Sequence, residues 1–256
     1  YANTLGANRF KLATSGHTVE EVVSSGISAA KLAAKDTDCL VALDIGPIGQ
    51  MLQPTGNMSF EEAVEIFGEQ VRAGVRAGAD VIVLETFSDL GEMRAAVLAA
   101  KENSTLPIMC TMTFDKNHRT FTGCSVASMA LTLEGLGVDA IGFNCSLGPD
   151  DFIPLVEELS SWTKLPIIAK PNAGLPDPAS GEFNFSDDRF ARCMRELAGV
   201  GIKFAGGCCG TTPSTISTVR AALNDVRPIR RNCGKLTAVC SATKAVTIDR
   251  VRIIGE

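Results

Sequence analysis

Several features that would place a chain in a common class are missing from this sequence. No apolar run among its 256 residues approaches the roughly 18 residues that a membrane-spanning helix needs. The amino-terminal residues lack the pattern of a signal peptide. Positive charge is not in excess, since the formal net charge is -5, so neither nucleic acid nor an anionic membrane is expected as a partner. We therefore expect a soluble, cytoplasmic protein.

A missing glycine motif and a shortage of histidine further limit the kinds of site that the chain is expected to contain. No G-x-G-x-x-G motif follows an early apolar run, which weakens the case for a dinucleotide-binding sheet. The chain has only two histidines, His17 and His118, and both lie in polar, loop-like surroundings. A histidine-containing metal or catalytic site is therefore disfavoured, and both side chains are expected at the solvated surface.

Cysteine is the residue type that stands out. An odd number, nine, is scattered along the chain, which makes a poor disulfide framework and favours a reducing compartment. Cys39, Cys110 and Cys193 have apolar neighbours, so we expect them to be buried as small hydrophobic residues. Cys233 and Cys240 lie in a polar tail, and their spacing is not that of a familiar metal site.

Six short apolar runs alternate with amphipathic stretches. Runs that are continuously apolar predict parallel strands buried on both faces. The stretches between them have helical periodicity. The clearest helix begins at Ser59, a predicted N-cap with Glu62 completing a capping box, and it turns Val71 and Val75 inward. The six runs are residues 39–47, 80–87, 106–114, 140–146, 165–174 and 202–210.

Repeated strand–helix units with short connections predict an α/β fold, either an open doubly wound sheet or a (β/α)8 TIM barrel. Polar or reactive residues at the carboxyl ends of the runs favour the barrel, whose active sites gather at that face. Residues 1–4 could be the tail of a seventh strand, so the barrel apparently lacks its first βα unit in this chain. The run-end residues are Asp44, Glu85, Thr113, Asn144, Cys145, Asn172, Cys208 and Cys209.

The βα rhythm stops near Val226. We expect residues 1–225 to form the barrel and residues 226–256 to form a linker and the start of a following domain. The tail is basic and contains the strand-like "AVTIDRVRII". Both chain ends resemble cuts through structure, which suggests a piece of a larger protein.

Three of the cysteines form a candidate site. Cys145 ends one run, and the adjacent Cys208 and Cys209 end another between glycines. Three thiolates with an open fourth position suit a catalytic Zn²⁺, and Thr212 with Pro213 predicts a helix start just beyond them. Spacing alone leaves open a phosphate-binding loop, a redox-active pair and plain buried cysteines.

The motifs "GFNCS", "KPNAG" and "GGCCGTTP" together resemble the homocysteine S-methyltransferase family of zinc-dependent (β/α)8 barrels. "NTLGANRFKL", "GPIGQMLQPTG" and "LETFSDLGEMRAA" extend the resemblance over residues 1 to about 225. The family's first-strand "DGAMGT"-like loop, which helps bind the substrate carboxylate, has no counterpart here. Asp44 stands where the family usually has a small or neutral residue.

The resemblance implies a role for each matching residue. Cys145, Cys208 and Cys209 match the zinc ligands, and Glu85 matches a carboxylate expected to hold the substrate ammonium group. Asn172 matches a position near the metal that fills the fourth site when substrate is absent. Asn144 and Thr4 match positions that orient substrate or ligands, or that instead satisfy backbone groups at strand ends.

The resemblance also implies a reaction, methyl transfer to the thiol of homocysteine to give methionine. "SATKAVTIDRVRIIGE" resembles the link from the homocysteine barrel to the pterin-binding domain in the cobalamin-dependent methionine synthases. The implied donor is methylcobalamin on another module, with pterin-binding and corrinoid-binding domains as partners. A stand-alone enzyme using betaine or S-methylmethionine, and a zinc-binding fragment without turnover, remain alternatives.

Overall fold

The computed structural model describes residues 1–183, 185–229, 231, 233 and 237–251. The chain divides into two compact units, Tyr1–Thr111 and Met112–Glu256. No helix in the described part of the chain has the length and apolarity needed to cross a membrane.

The first unit is built from βα repeats. Its strands follow chain order, β1-β2-β3, and β1 pairs with β2 in parallel, with Ala42 opposite Val81 and Ile45 opposite Leu84. The first three predicted strands are therefore confirmed. The elements are α1 (Arg9–Leu12), α2 (Val19–Ala33), β1 (Ala42–Ile45), α3 (Phe60–Arg76), β2 (Val81–Phe87), α4 (Leu90–Asn103) and β3 (Ile108–Met112), which runs into the second unit.

Helix α3 begins as predicted. The Ser59 side chain accepts the amide hydrogen of Glu62, which confirms the N-cap and shows the serine half of the capping box. Val71 is buried, but Val75 is 37% exposed, so the inward orientation predicted for Val75 is wrong. Gly74 lies against Leu43 of β1 instead: a β-carbon at position 74 would be 2.4 Å from a methyl carbon of Leu43. The close helix–strand contact is made through this glycine.

Residues 1–4 are not a strand of their own, although they run beside β1. The amide of Ala2 donates to the carbonyl of Ala42 at 2.9 Å. The hydroxyl of Thr4 donates to the carbonyl of Asp44 at 2.8 Å and accepts its amide hydrogen at 3.1 Å. These bonds fix the segment against the carboxyl end of β1 without completing a seventh strand.

Cys39 corrects one of the burial expectations. Cys110 and Cys193 are buried, as predicted, but Cys39 is exposed. The apolar run that contains Cys39 starts before the strand does, because β1 begins at Ala42 and burial begins at Val41. The expectation that Cys39 belongs to the core is therefore wrong.

A carboxyl group is buried in the first unit at the start of α4. Glu92 is 6% exposed, and its Oε1 accepts the amide hydrogen of Ile48 at 2.7 Å. Burial, assisted by the nearby Asp89, raises the pKa of Glu92 to about 7, although the Ile48 amide and Lys11 act in the opposite direction. The folded protein therefore holds a proton at Glu92 that the unfolded chain loses near pH 4.5.

Glu92→Gln tests this proton linkage. A raised folded-state pKa means that stability falls as the pH rises from about 4.5 to about 7 and then levels off, by at most about 3 kcal/mol. The glutamine keeps an acceptor for Ile48 but cannot ionise. We expect the variant to be more stable than the wild type at pH 8, by about 1–3 kcal/mol, and nearly equal to it at pH 4. Urea unfolding across this range measures the difference, with exposed Glu102→Gln as control; parallel wild-type and Glu92→Gln curves would contradict it.

The second unit continues the parallel pattern in the order β4-β5-β6. Asn144 of β4 lies opposite Lys170 of β5, and Ile167 of β5 lies opposite Ile202 of β6. The last three predicted strands are therefore confirmed. The elements are α5 (Val126–Gly135), β4 (Ala140–Asn144), a 3-10 turn (Pro149–Asp151), α6 (Phe152–Trp162), β5 (Ile167–Lys170), α7 (Asp187–Val200), β6 (Ile202–Ala205), α8 (Pro213–Leu223), β7 (Ala238–Cys240) and β8 (Ala245–Thr247).

The described tail belongs to the second unit and packs against the rest of it. β7 and β8 form an antiparallel hairpin, and β7 packs on α5. Cys240 Sγ lies 3.5 Å from the Thr132 hydroxyl, and Arg119 donates to the Thr243 carbonyl at 2.6 Å. Arg231 donates to the carbonyls of Thr163 and Leu165. These contacts tie the tail to helix α5, to the loop before it and to the connection between α6 and β5.

Part of the strand-like tail motif is observed as β8, and residues 252–256 lie outside the described residues. The assignment of residues 226–256 to a linker and a following domain stays a prediction.

Candidate metal centre

Strand β4 delivers the first cysteine at a sharp turn. Asn144 is its last residue, and Cys145 and Ser146 follow with φ of +62° and +60°. Non-glycine residues rarely adopt this left-handed backbone, and such strain is typical of functional sites. The Cys145 amide donates to the carbonyl of Lys170 at 3.1 Å, and the Leu147 amide donates to the Cys145 carbonyl at 2.7 Å. The turn is therefore fixed on both sides.

The loop after β6 delivers the other two cysteines. The amide of Cys208 donates to the carbonyl of Pro171, and the carbonyl of Cys209 accepts the amide hydrogen of Ala173, both at 2.9 Å. Gly210 has φ of +77°, a conformation that glycine adopts without steric cost. Helix α8 then starts with Thr212 as N-cap, which confirms the predicted helix start.

The two segments bring three sulfur atoms together. Cys145, Cys208 and Cys209 each offer Sγ, and these atoms lie within 4.8 Å of one another. Cys145 Sγ and Cys209 Sγ are 3.8 Å apart, and all three cysteines are free thiols. Asn144, which is fully buried, donates from Nδ2 to Cys208 Sγ at 3.7 Å. Cys209 is exposed, which leaves the cluster open to solvent on one side.

The sulfur atoms share one negative charge when no cation is present. Hydrogen bonding from the Cys208 thiol lowers the pKa of Cys145 to about 5, assisted by the Ser146 amide and by Asn172. The Cys145 thiolate in turn raises the pKa of Cys208, chiefly through the same hydrogen bond. Burial, and then the Cys145 charge, raise the pKa of Cys209. Three thiolates at this separation therefore require a positive charge among them.

A tetrahedral thiophilic ion fits the cluster. Two thiolates bound at the usual Zn–S length to a tetrahedral ion lie about 3.8 Å apart, and the distance from Cys145 Sγ to Cys209 Sγ has that value. A divalent cation would also remove the mutual repulsion that keeps Cys208 and Cys209 protonated. Thiolate ligands favour zinc over hard cations such as Mg²⁺.

The hydrogen bonds of the glycine-rich loop argue against a phosphate cradle. The amides of Gly206, Cys208 and Thr211 donate to the carbonyls of Ala169, Pro171 and Cys208. The first turn of α8 is closed by a reciprocal Thr212–Thr215 capping box. A phosphate loop needs such amides free to face an anion, and here they are already used within the fold.

Asn172 links the two segments of the cluster. It is buried, and its Oδ1 accepts the amide hydrogen of Cys209 at 3.0 Å. Its side chain also helps to lower the pKa of Cys145. Asn172 therefore interacts with one cysteine from each segment, a bridging role that the motif "KPNAG" did not reveal.

Glu85 and Thr4 belong to the first unit. Glu85 lies near the end of β2 and is 7% exposed, and the next residue, Thr86, has φ of +67°. The hydroxyl of Thr4 is engaged with the backbone of Asp44, which matches the alternative role of satisfying strand-end groups. The role of Glu85 toward a substrate stays a prediction.

The histidines lie outside the cysteine cluster. His17 is exposed, in agreement with the surface prediction. His118 is only partly exposed, and its Nδ1 lies 2.6 Å from a carboxylate oxygen of Glu158. His118 therefore lies hydrogen-bonded and partly buried in the loop after β3, and not in open solvent as predicted.

Parallel βα repeats with a three-cysteine cluster beyond the carboxyl ends of β4 and β6 define an α/β protein with a candidate thiolate metal centre. The description "Homocysteine S-methyltransferase" belongs to the family model that matches residues 1–223. The chain belongs to this family.

The similar proteins fall into two groups. Methionine synthase of Mycobacterium tuberculosis (strain ATCC 25618 / H37Rv) is 30% identical over 237 residues, covering 88% of this chain and 20% of that protein. Methionine synthase of Mycobacterium leprae is 30% identical over 201 residues, covering 75% of this chain and 17% of that protein. The chain thus spans about a fifth of the length of these relatives.

The solved structures are more distant in sequence and show the fold. The oxidized form of the Escherichia coli homocysteine methyltransferase MmuM gives a TM-score of 0.72 at 22% identity, covering 86% of this chain and 77% of that one. Its metallated form gives 0.71 at 21% identity with the same coverage. The expected barrel-type α/β fold is therefore confirmed.

Proposed function

We propose that this chain is the homocysteine-binding module of a cobalamin-dependent methionine synthase, in which a zinc-bound homocysteine thiol accepts a methyl group to give methionine. The observation that carries the proposal is the convergence of Cys145, Cys208 and Cys209 within 4.8 Å in a member of the homocysteine S-methyltransferase family. The 30% identity to methionine synthases supports this donor system over a stand-alone enzyme.

The three cysteines would hold the ion, and Asn144 and Asn172 would hold the cysteines. Zinc bound by three thiolates supplies a positive centre that lowers the pKa of an added thiol while leaving its sulfur electron-rich. Asn144 donates to Cys208 Sγ, and Asn172 binds the Cys209 amide. Such outer contacts fix ligand direction and tune ligand basicity.

The chemical step needs a deprotonated sulfur and an in-line methyl donor. The homocysteine thiol, with an ordinary pKa of about 8.5, is mostly protonated at neutral pH. Its proton leaves to solvent on binding, and the sulfur lone pair then forms the new C–S bond. The bond from the methyl carbon to the donor breaks at the same time, and the donor keeps that electron pair.

The remaining roles concern substrate and donor. Glu85 would bind the homocysteine ammonium group, as the family motif implies, and its burial would strengthen that contact. The donor would be methylcobalamin carried by a corrinoid-binding module and recharged through a pterin-binding module. The exposed side of the cluster at Cys209 gives a donor room to approach.

Metal content and proton release test the proposal. We expect about one zinc per chain after reconstitution, and release of about one proton per chain when homocysteine is added to the zinc form. Methyl transfer is expected with free methylcobalamin and not with betaine or S-methylmethionine. Proton release is followed with a pH indicator in weak buffer, and methionine formation with labelled donor.

Three outcomes separate the alternatives. Zinc binding without proton release would favour a zinc-binding fragment with no turnover. Transfer from betaine or S-methylmethionine would make the chain a stand-alone enzyme. Failure to bind zinc would overturn the proposal as a whole.

A further inference from the structure

The segment that follows β5 leaves the cysteine cluster and folds back toward it. Residues 175–182 are exposed, and Asp177 closes the tip by accepting the amide hydrogens of Ala179 and Ser180. Pro176 and Phe183 form an antiparallel bridge. Residues 174–183 therefore form a short hairpin-like loop, which we call the β5 arm.

Phe183 packs the β5 arm against the loop after β6, which carries Cys208 and Cys209. A β-carbon at Gly210 would lie 2.3 Å from Cγ of Phe183 and 2.6 Å from its Cβ. The phenyl ring thus occupies the space that any side chain at position 210 would need. Phe183 is partly buried, although the residues before it in the arm are exposed. The ring therefore covers the residue that directly follows Cys209.

The base of the β5 arm holds the same loop from another side. The amide of Ala173 donates to the carbonyl of Cys209, and Cys208 donates to Pro171. The chain then leaves through Gly174, whose φ is +81°. Backbone hydrogen bonds at the base of the β5 arm and the aromatic ring at its end thus both hold the short, glycine-rich loop after β6.

Fixing the loop after β6 in advance would favour metal binding. Glycine-rich backbone loses much conformational entropy when it is fixed. Two adjacent cysteines can point to one ion only in a narrow range of backbone conformations, so a loop fixed in advance lowers the cost of binding the ion. Of these contacts, the Phe183 ring is the one that a single substitution can remove without changing a cysteine.

We propose that Phe183 is a positioning residue of the metal centre, whose ring clamps Gly210 and so holds Cys208 and Cys209 in their ion-binding arrangement. This inference rests on the proposed function for the presence of zinc, and it does not depend on the identity of the methyl donor.

The test is the rate at which zinc leaves the reconstituted full chain for a chromophoric chelator. We expect Phe183→Ala to release zinc about 10- to 100-fold faster than the wild type, by analogy with the loss of metal affinity that follows removal of a group supporting the ligands. Phe183→Tyr keeps the ring and is expected to stay near the wild-type rate. Phe121→Ala is the matched control, because Phe121 is 86% exposed and lies in the loop after β3.

Two further measurements separate positioning from general damage. The free energy of unfolding of the metal-free protein should be nearly unchanged by Phe183→Ala, while the absorption bands of the cobalt-substituted centre should shift. If Phe183→Ala folds poorly, Phe183→Leu takes its place, with a smaller expected acceleration. A wild-type release rate in these variants, or a loss of stability that accounts for faster release, would overturn the clamp. A wild type that binds no zinc would instead refute the proposed function.

Discussion

Cys208→Ser is expected to abolish stoichiometric zinc binding and, with it, methyl transfer to homocysteine. Serine offers an alcohol in place of a thiol, and an alcohol does not ionise to a soft anionic ligand near neutral pH. Two thiolates would remain, and the hydrogen bond that lowers the pKa of Cys145 would lose its thiol donor. The fall in zinc affinity should exceed the roughly 10- to 100-fold that loss of an outer contact costs.

Cys39→Ser is the matched control, because Cys39 is an exposed free thiol that lies outside the cluster. Zinc per chain after dialysis, thiol reactivity and the rate of methionine formation should all separate the two variants. Equal zinc retention in Cys208→Ser and Cys39→Ser would show that the ion, if bound, is held elsewhere.

The strands were predictable because parallel strands buried on both faces read as continuous apolar runs. The same signal explains the error at Cys39, where the run begins before the chain enters the core. The prediction for Val75 was wrong for a related reason. Helical spacing indicates roughly which side of α3 is buried, but the close contact of Gly74 with Leu43 decides that position 74, and not position 75, faces the sheet.

The site was predictable in its residue types and not in its connections. A cysteine at one strand end and two at another suggested a shared ion, since strand ends of a parallel sheet lie at one edge. The sequence does not predict the left-handed backbone of Cys145, because asparagine or glycine is the usual residue in that conformation. The contact between Phe183 and Gly210 likewise depends on how an irregular arm folds back, which no periodicity encodes.

Glu85→Gln is expected to weaken homocysteine binding while leaving zinc in place. The substitution preserves size but removes the charge of a carboxyl group that is buried at the end of β2. Loss of one partner from a buried charge pair costs about 2–4 kcal/mol, which corresponds to about 30- to 1,000-fold in affinity. The Michaelis constant for homocysteine should rise by that factor, with a smaller change in turnover, because the ammonium group takes no part in the chemistry.

An analogue without the ammonium group makes this prediction specific. 4-Mercaptobutanoate keeps the thiol and the carboxylate of homocysteine, so it should bind the wild type poorly and lose little more in Glu85→Gln. The non-additivity of the two changes measures the contact itself. Glu61→Gln, at an exposed position on α3, should match the wild type with both compounds. Equal, additive losses would assign the effect of Glu85 to the fold of β2, and the ammonium group would then need another partner.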